Sequence, residues 1–248
     1  MVNAMLQSNI TVPKSELKKL PPALLSRRFK RAPSDGLNEL ILLDKLEARI
    51  THKLNLLDQK TKAHCERVSA LTEKFAQFIS TSQNTYPSAY KLSSSGIRCL
   101  KLAARYHDLG KIRLPHEIIF KKGLLTEDEV KLIKLHSLHS VQEIQHTAEQ
   151  FIDNQIYNFY LDLLSAVLAS HEHIDGSGYP LGLKRDDISI GGRIIAVVDA
   201  FDSMVNPHVP RDKIRTVDEA ISELKRCSNT QFDSIAVSAF CAFISSPR

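Results

Sequence analysis

The 248-residue sequence predicts an all-α protein, almost wholly helical, and three observations carry that prediction. Apolar residues recur every three or four positions along several stretches, which is the spacing of a helix face. A capping box, Thr126 to Glu129, announces the start of one such stretch. No run alternates apolar and polar residues with the period of a strand, and no internal repeat is visible. The length suffices for one large core and an appendage.

Taken in order, residues 1–35 read as a basic, proline-containing arm. Lys14, Lys18, Lys19, Arg27, Arg28, Lys30 and Arg31 stand there against Glu16 and Asp35, so the arm alone accounts for the net charge of +5. Pro13, Pro21, Pro22 and Pro33 interrupt it. Such a segment is expected to be solvated and loosely ordered, the alternatives being docking on an acidic partner, on nucleic acid or on its own domain. Residues 36–59 read as one helix, with Leu40, Leu43, Leu46, Ile50, Leu54 and Leu57 forming its stripe. Packing on the main domain is the expected use of that stripe, and pairing with its twin in a homodimer is the alternative.

Residues 60–248 form the main domain. Its first helix carries the apolar positions Ala63, Val68, Leu71, Phe75, Phe78 and Ile79, with His64 at the edge. Residues 81–95 are a polar break before the helix that leads into His107, and Gly110 offers that helix an ending. His136 follows the helix opened by the capping box, whose apolar positions are Val130, Ile133 and Leu135. Asp199 interrupts the apolar run IIAVVDAF, where an ionised carboxylate is costly unless a cation or hydrogen-bond donor meets it.

His107-Asp108 in HDLGK and His171-Glu172 ahead of DGSGYP supply what a bimetallic hydrolase needs. Neighbours on a helix point about 100° apart, but a cation can draw a nitrogen and an oxygen together where a helix ends. A carboxylate can bridge two cations, and Asp108 is the candidate bridge. A lone His beside an apolar stripe is more often a hydrogen-bonded core residue than a ligand. Two carboxylates and four imidazoles on core segments are harder to satisfy without a shared partner. Of the ten His, His52, His116 and His146 sit in polar or loop contexts, with His116 following Pro115 in a loop. His139 and His173 are close to proposed ligands as supporting or exposed residues. In DGSGYP, Gly176 and Gly178 permit positive φ and close backbone approach, and Pro180 fixes the exit, holding Tyr179 at the rim for a purine or phosphate. A tight surface turn with Tyr179 as a packing residue is the alternative.

No apolar run approaches the roughly 20 residues needed to cross a bilayer, and the amino terminus has no signal-peptide core, so a cytoplasmic protein is expected. Cys65, Cys99, Cys227 and Cys241 are isolated, with no CxxC pair, and are expected to be reduced thiols.

These motifs, in this order, resemble the HD-GYP family, the branch of the HD phosphohydrolases that degrades cyclic dinucleotides. The resemblance covers roughly residues 60 to 245: HDLGK at 107–111, KKGLLTEDE at 121–129, His136, HEHIDGSGYP at 171–180, RIIAVVDAFDSM at 193–204 and QFDSIAVSAF at 231–240. It implies an HD-domain bundle of HD-GYP type and a metal-dependent phosphodiesterase acting on cyclic di-GMP or 3′,3′-cyclic GMP-AMP. It further implies attack by a hydroxide between two divalent transition metal ions, iron or manganese, with nickel and zinc as alternatives. Carried over by position, His64, His107, Asp108 and Asp199 hold one metal, and Asp108, His136 and His171 the other. Lys111 faces the phosphate as a catalytic cation. Gly178, Tyr179 and Arg211 join Lys111 on the substrate side. Ser170, Glu172, Asp175, Asp202 and His208 are left as supporting or unassigned residues.

Departures from the family pattern refine this reading. The family's two consecutive His before the Glu are Ser170-His171 here, so the second metal loses an imidazole, and a hydroxyl is a poorer ligand. Lys60 stands where a third metal would need Glu, which predicts two metals. The family's Arg-Pro-Tyr-Arg becomes His208-Val209-Pro210-Arg211 and retains only its last basic residue, which weakens guanine selectivity and leaves room for a mixed dinucleotide. A family Gly after His136 is Ser140, small enough to fit. Ser170 and His208 favour an alternative, a catalytically weakened module that binds nucleotide or a protein partner; Lys111, Asp108, Asp199 and Tyr179 favour the enzyme. A hydrolase of another phosphoester is a third reading. The expected partner is a cyclic dinucleotide, with no membrane span and no double-stranded nucleic acid, and the amino-terminal region is the candidate surface for a homodimer or protein partner.

Overall fold

The computed structural model describes residues 13–26, 36–82, 85–209 and 213–246. Among the described residues there are twelve α-helices and three 3₁₀ turns, and the only extended pairing is one isolated bridge between Ser228 and Phe232. The fold is all-α, as expected.

Two short helices, α1 (Lys14–Leu17) and α2 (Pro22–Ser26), depart from the expected solvated arm. Leu20 and Leu24 are buried in the main core, α2 packs on the central helix Tyr157–Leu168, and the Gln142 amide donates to Glu16 at 3.1 Å. The reason is local. Two leucines four residues apart reach the core, while Lys18 and Lys19 stay in solvent. Arg27, Arg28, Lys30 and Arg31 lie outside the described residues.

Helix α3 (Leu37–Leu54) buries Leu42, Leu43, Leu46, Ile50 and Leu54 against the bundle, which accounts for its stripe within one chain. It ends short of residue 59 because Asp58 caps the next helix, accepting from the backbone N–H groups of Lys60 and Thr61 at 2.9 and 3.0 Å. In that helix, α4 (Gln59–Thr81), the buried face runs through Thr61, His64, Cys65, Val68, Ser69, Thr72, Phe75, Ala76 and Ile79. His64 is therefore in the middle of the buried face and not at its edge, and Ala63 is exposed. Three polar residues on the inward face hid the true stripe.

Helix α5 (Ser94–Tyr106), capped by Ser93, runs along α4 and delivers His107. After it a 3₁₀ turn (Leu109–Arg113) nests on α8 (His136–Ala148). Between them lie α6 (His116–Ile119), opened by His116 where a loop was expected, and α7 (Glu127–Lys134). The Thr126–Glu129 capping box is formed reciprocally, at 3.2 and 2.7 Å. The largely apolar α9 (Tyr157–Leu168) packs between α5, α8 and α10 (Ile190–Val205). Helices α11 (Val217–Arg226) and α12 (Ser234–Ser245) close the far side, where Phe75, Phe201, Phe240 and Phe243 form an aromatic cluster. No helix of the described residues is long and apolar enough to cross a membrane.

Candidate metal centre

Four segments meet in the bundle: α4 with His64, the α5 terminus with His107 and Asp108, the α8 start with His136, and α10 with Asp199. His171 joins from the loop after α9. The helix does end between the first pair: α5 stops at Tyr106, and Asp108 adopts φ −100° and ψ 3° before the 3₁₀ turn. Gly110 does not make this ending, which falls before it. A Cβ there would lie 2.1 Å from the His136 carbonyl oxygen, so glycine lets the turn lie against α8.

His64 and His107 are wholly buried, and each has one ring nitrogen committed outward. His64 Nδ1 is 2.7 Å from Asp202 Oδ2, and His107 Nδ1 is 2.7 Å from the Ala104 carbonyl. Their Nε2 atoms therefore face inward, toward Asp199 Oδ1 at 2.9 and 3.5 Å, and neither makes a hydrogen bond. Asp108 is buried, with Oδ2 receiving Lys111 Nζ at 2.5 Å and Oδ1 lying 3.1 Å from His136 Nε2 and 3.9 Å from His171 Nε2. The two Nε2 atoms of His136 and His171 are 2.8 Å apart, and His136 Nδ1 is anchored on the Ile133 carbonyl at 2.7 Å.

The electrostatics follow from this crowding. Burial opposes ionisation of Asp108, but Lys111 and the surrounding imidazoles outweigh it and hold the carboxyl well below its usual range. Asp199 is held low in the same way by His107 and His64. Burial pulls the His64 imidazolium down, yet the Asp199 and Asp202 carboxylates outweigh it and raise it to about 9. His171 goes the other way: burial and the nearby His136 hold it at about 4 despite Asp108, so its ring is neutral.

The DGSGYP loop covers one side. Gly176 has φ +84°, as expected, whereas Gly178 does not need positive φ. A Cβ on Gly178 would lie 2.3 Å from the His173 backbone nitrogen, so its role is close approach. Gly182 supplies the second positive φ, +65°. Buried Glu172 braces the loop, accepting the Leu181 and Leu183 N–H groups at 2.7 and 2.9 Å, and burial raises its carboxyl to about 7. Tyr179 is partly covered and not freely at the rim: its ring stacks on His171 at 5.0 Å, and its N–H donates to the His171 carbonyl at 3.1 Å. Asp175 is exposed and accepts the Ser177 N–H, a loop-shaping contact away from the cluster. His173 supports the same loop through Ser177 Oγ at 2.9 Å.

The Ser170 hydroxyl is buried and donates to the Val167 carbonyl at 2.9 Å, a helix-end contact. Asp202 is a brace, accepting from His64, from Arg67 Nε at 2.8 Å and from Asn206 Nδ2 at 3.0 Å. Arg211 lies outside the described residues. His208 comes into the cluster, stacked on His64 at 4.0 Å with Nε2 3.4 Å from Lys111 Nζ. Burial, with Lys111 and His64 nearby, pushes its imidazolium down to about 2.

Arg67 escaped the sequence reading, and Ser140 was read only as a small residue that fits. Arg67 lies three residues after His64, and Asp202 three after Asp199, so each pair shares a helix face; that spacing was the available signal. Ser140 is more than a small filler. Its hydroxyl accepts the Gly110 N–H at 2.7 Å and lies 2.7 and 2.9 Å from the His107 and His136 carbonyls, joining the two ligand-bearing segments.

The residues fit a cation cradle. His64 Nε2, His107 Nε2 and Asp108 Oδ1 are buried without a hydrogen-bond partner, an arrangement costly to leave unsatisfied. Three groups, His64–His107–Asp199, His64–Asp108–His208 and His107–Asp108–His171, each bring ligand atoms within 4.8 Å of one another. Imidazole with carboxylate suits transition metals.

The chain matches the family model described as an HD domain over residues 48–235. It is 31% identical over 191 residues to a cyclic di-GMP phosphodiesterase of Thermotoga maritima, a match covering 75% of this chain and 46% of that relative. It is 31% identical over 147 residues to 3'3'-cGAMP-specific phosphodiesterase 2 of Vibrio cholerae, covering 59% of this chain and 24% of that relative. The chain thus spans less than half the length of these relatives. In fold it is similar to an HDG"Y"P protein from Bdellovibrio bacteriovorus, with a TM-score of 0.55 at 14% identity, covering 99% of this chain and 77% of that one.

Proposed function

The chain belongs to the HD-domain family, in its HD-GYP branch, and on that footing we propose that it is a phosphodiesterase that opens a cyclic dinucleotide, cyclic di-GMP or 3′,3′-cyclic GMP-AMP. The observation that carries the reading is the meeting of buried His64 Nε2, His107 Nε2 and Asp108 Oδ1, which face one another and Asp199 without a formed hydrogen bond, beside Lys111. His64, His107, Asp108 and Asp199 would hold one divalent cation, and Asp108, His136 and His171 a second, iron or manganese. Bound there, such a pair supplies acidified water and neutralises charge on a phosphoryl group, the two needs of phosphodiester hydrolysis.

The chain's own groups do the rest. Asp108 stays ionised, with Oδ2 toward His64 and His107 and Oδ1 toward His136 and His171. Lys111 keeps its ammonium charged, since Asp108 outweighs the burial that opposes it, and offers that charge where phosphoryl oxygens become more negative. Tyr179 and the backbone at Gly178 form the substrate-side wall, and neutral His171 keeps a lone pair free for coordination. We assign Arg211 to the substrate side, residues 60–248 to the catalytic domain and the chain to the cytoplasm as parts of the same reading.

Metal analysis followed by turnover of cyclic di-GMP, 3′,3′-cyclic GMP-AMP and cyclic di-AMP tests it. The expected result is two metals per chain and hydrolysis of at least one of the first two substrates. Full metal content with no turnover of any of the three would defeat the enzyme reading in favour of a binding module.

A further inference from the structure

We propose that His208 is a ligand of the cation held by His64, His107, Asp108 and Asp199, so that this position takes three imidazoles and the position at His136 and His171 takes two. The inference rests on the two-cation reading above and deepens it. His208 is 8% exposed, although it lies in the non-helical stretch that follows the α10 terminus. Its ring lies nearly parallel to His64, 16° apart at 4.0 Å, and its Nδ1 is buried with no hydrogen-bond partner. A ring nitrogen of His208, one of His64 and a carboxylate oxygen of Asp108 fall within 4.8 Å of one another. Because His64 Nδ1 is committed to Asp202, it is His64 Nε2 that remains for this group.

A packing role does not explain the placement. An apolar side chain of similar volume would stack on His64 without burying an unpaired nitrogen, and unpaired buried nitrogens are seldom kept without a partner. The competing account is that His208 merely accepts a long hydrogen bond from Lys111, whose Nζ is 3.4 Å from Nε2. That account leaves Nδ1 unexplained. The proposal also gives Ser170 a setting. The imidazole absent from the second position is not replaced there, its hydroxyl being turned to the Val167 carbonyl, while the first position gains one. The centre is then asymmetric, with one cation held tightly and the other held by fewer nitrogens and more water.

The test uses the metal-free full chain titrated with cobalt(II), read by its visible absorption bands and by metal content after gel filtration. The expected result is two cobalt ions per chain bound in two resolved steps. His208→Gln should weaken the tighter step by at least about tenfold, the lower edge of what even an outer-sphere partner is worth, and leave the weaker step unchanged. His52→Gln, on the exposed face of α3, should change neither. Proton NMR of the cobalt-loaded wild type gives a second reading that needs no variant: the His208 ring protons should be shifted far outside the diamagnetic range. Unchanged affinities in His208→Gln, or only small shifts for the His208 ring consistent with a bystander, would overturn the proposal while leaving the two-cation reading intact. A wild-type chain that takes up no cobalt would instead sink the two-cation reading itself.

Discussion

The two halves of the cation cradle are held in different ways. On the α4 and α10 side, His64 is locked by Asp202, which is in turn gripped by Arg67 and Asn206, and His107 is locked by the Ala104 carbonyl. On the α8 side His136 has an equivalent anchor, but the His171 ring, 16% exposed, rests chiefly on Tyr179 and faces His136 across 2.8 Å. The difference teaches that ligand identity alone does not set the quality of such a centre. The atoms behind the ligands decide how much freedom each ring has lost before a cation arrives.

The substitution that removes the contrast altogether should have the largest effect. Asp108→Ala takes an oxygen from both halves, so metal binding at both positions and turnover should vanish; full metal content with retained activity would defeat the assignment. Asp202→Ala should act on one half only, since it frees His64 but touches nothing near His136. Loss of such an outer partner should weaken the tighter cation roughly 10–100-fold in a metal titration, with the weaker one unaffected. Equal weakening of both would erase the distinction drawn here. Ser170→His sharpens the comparison from the other side, and should tighten the weaker cation by about tenfold, the effect of restoring a nitrogen donor. Unchanged affinity there would count against the match of Ser170 to the family's missing imidazole.

The smallest effect is a pH slope confined to the first half. With His64 raised from 6.5 to about 9, the metal-free folded state holds a proton there that the unfolded chain releases near 6.5. Between those values the native state binds more protons, so this contribution to stability is full below pH 6.5 and is lost as pH rises toward 9. Denaturant midpoints of the metal-free protein should fall across that window. Loading with metal, which requires the neutral ring, should flatten the slope, and a slope that loading leaves untouched would show that His64 is not its source.

Much of this centre was legible in the chain. His107-Asp108 could be read because a His-Asp pair beside a helix end suits a cation, although the helix stops before Gly110, and Asp199 because a carboxylate in an apolar run needs a partner. The helical class followed from periodicity. His64 was harder, because Thr61, Ser69 and Thr72 share its inward face, and polar residues blur a stripe that only packing reveals. The Arg67–Asp202 pair joins residues 135 positions apart, and the only signal for it was that each lies three residues after a proposed ligand. Ser140 passed for a small filler because its importance lies in three backbone groups brought together by the fold. The buried Leu20 and Leu24 were masked by the lysines around them, whose charge suggested solvent while their neighbours sought the core.

The stacking of Tyr179 on His171 restricts how a nucleotide can enter. The ring is already met by His171 and by the Lys134 ammonium, 5.4 Å from its centre, so the edge and hydroxyl are what it offers a purine. The Tyr179 N–H also donates to the His171 main-chain carbonyl, so levering the ring aside to make room would pull on the His171 backbone as well. On the function proposed above, admission of a nucleotide and retention of a cation at His171 would be geared to each other.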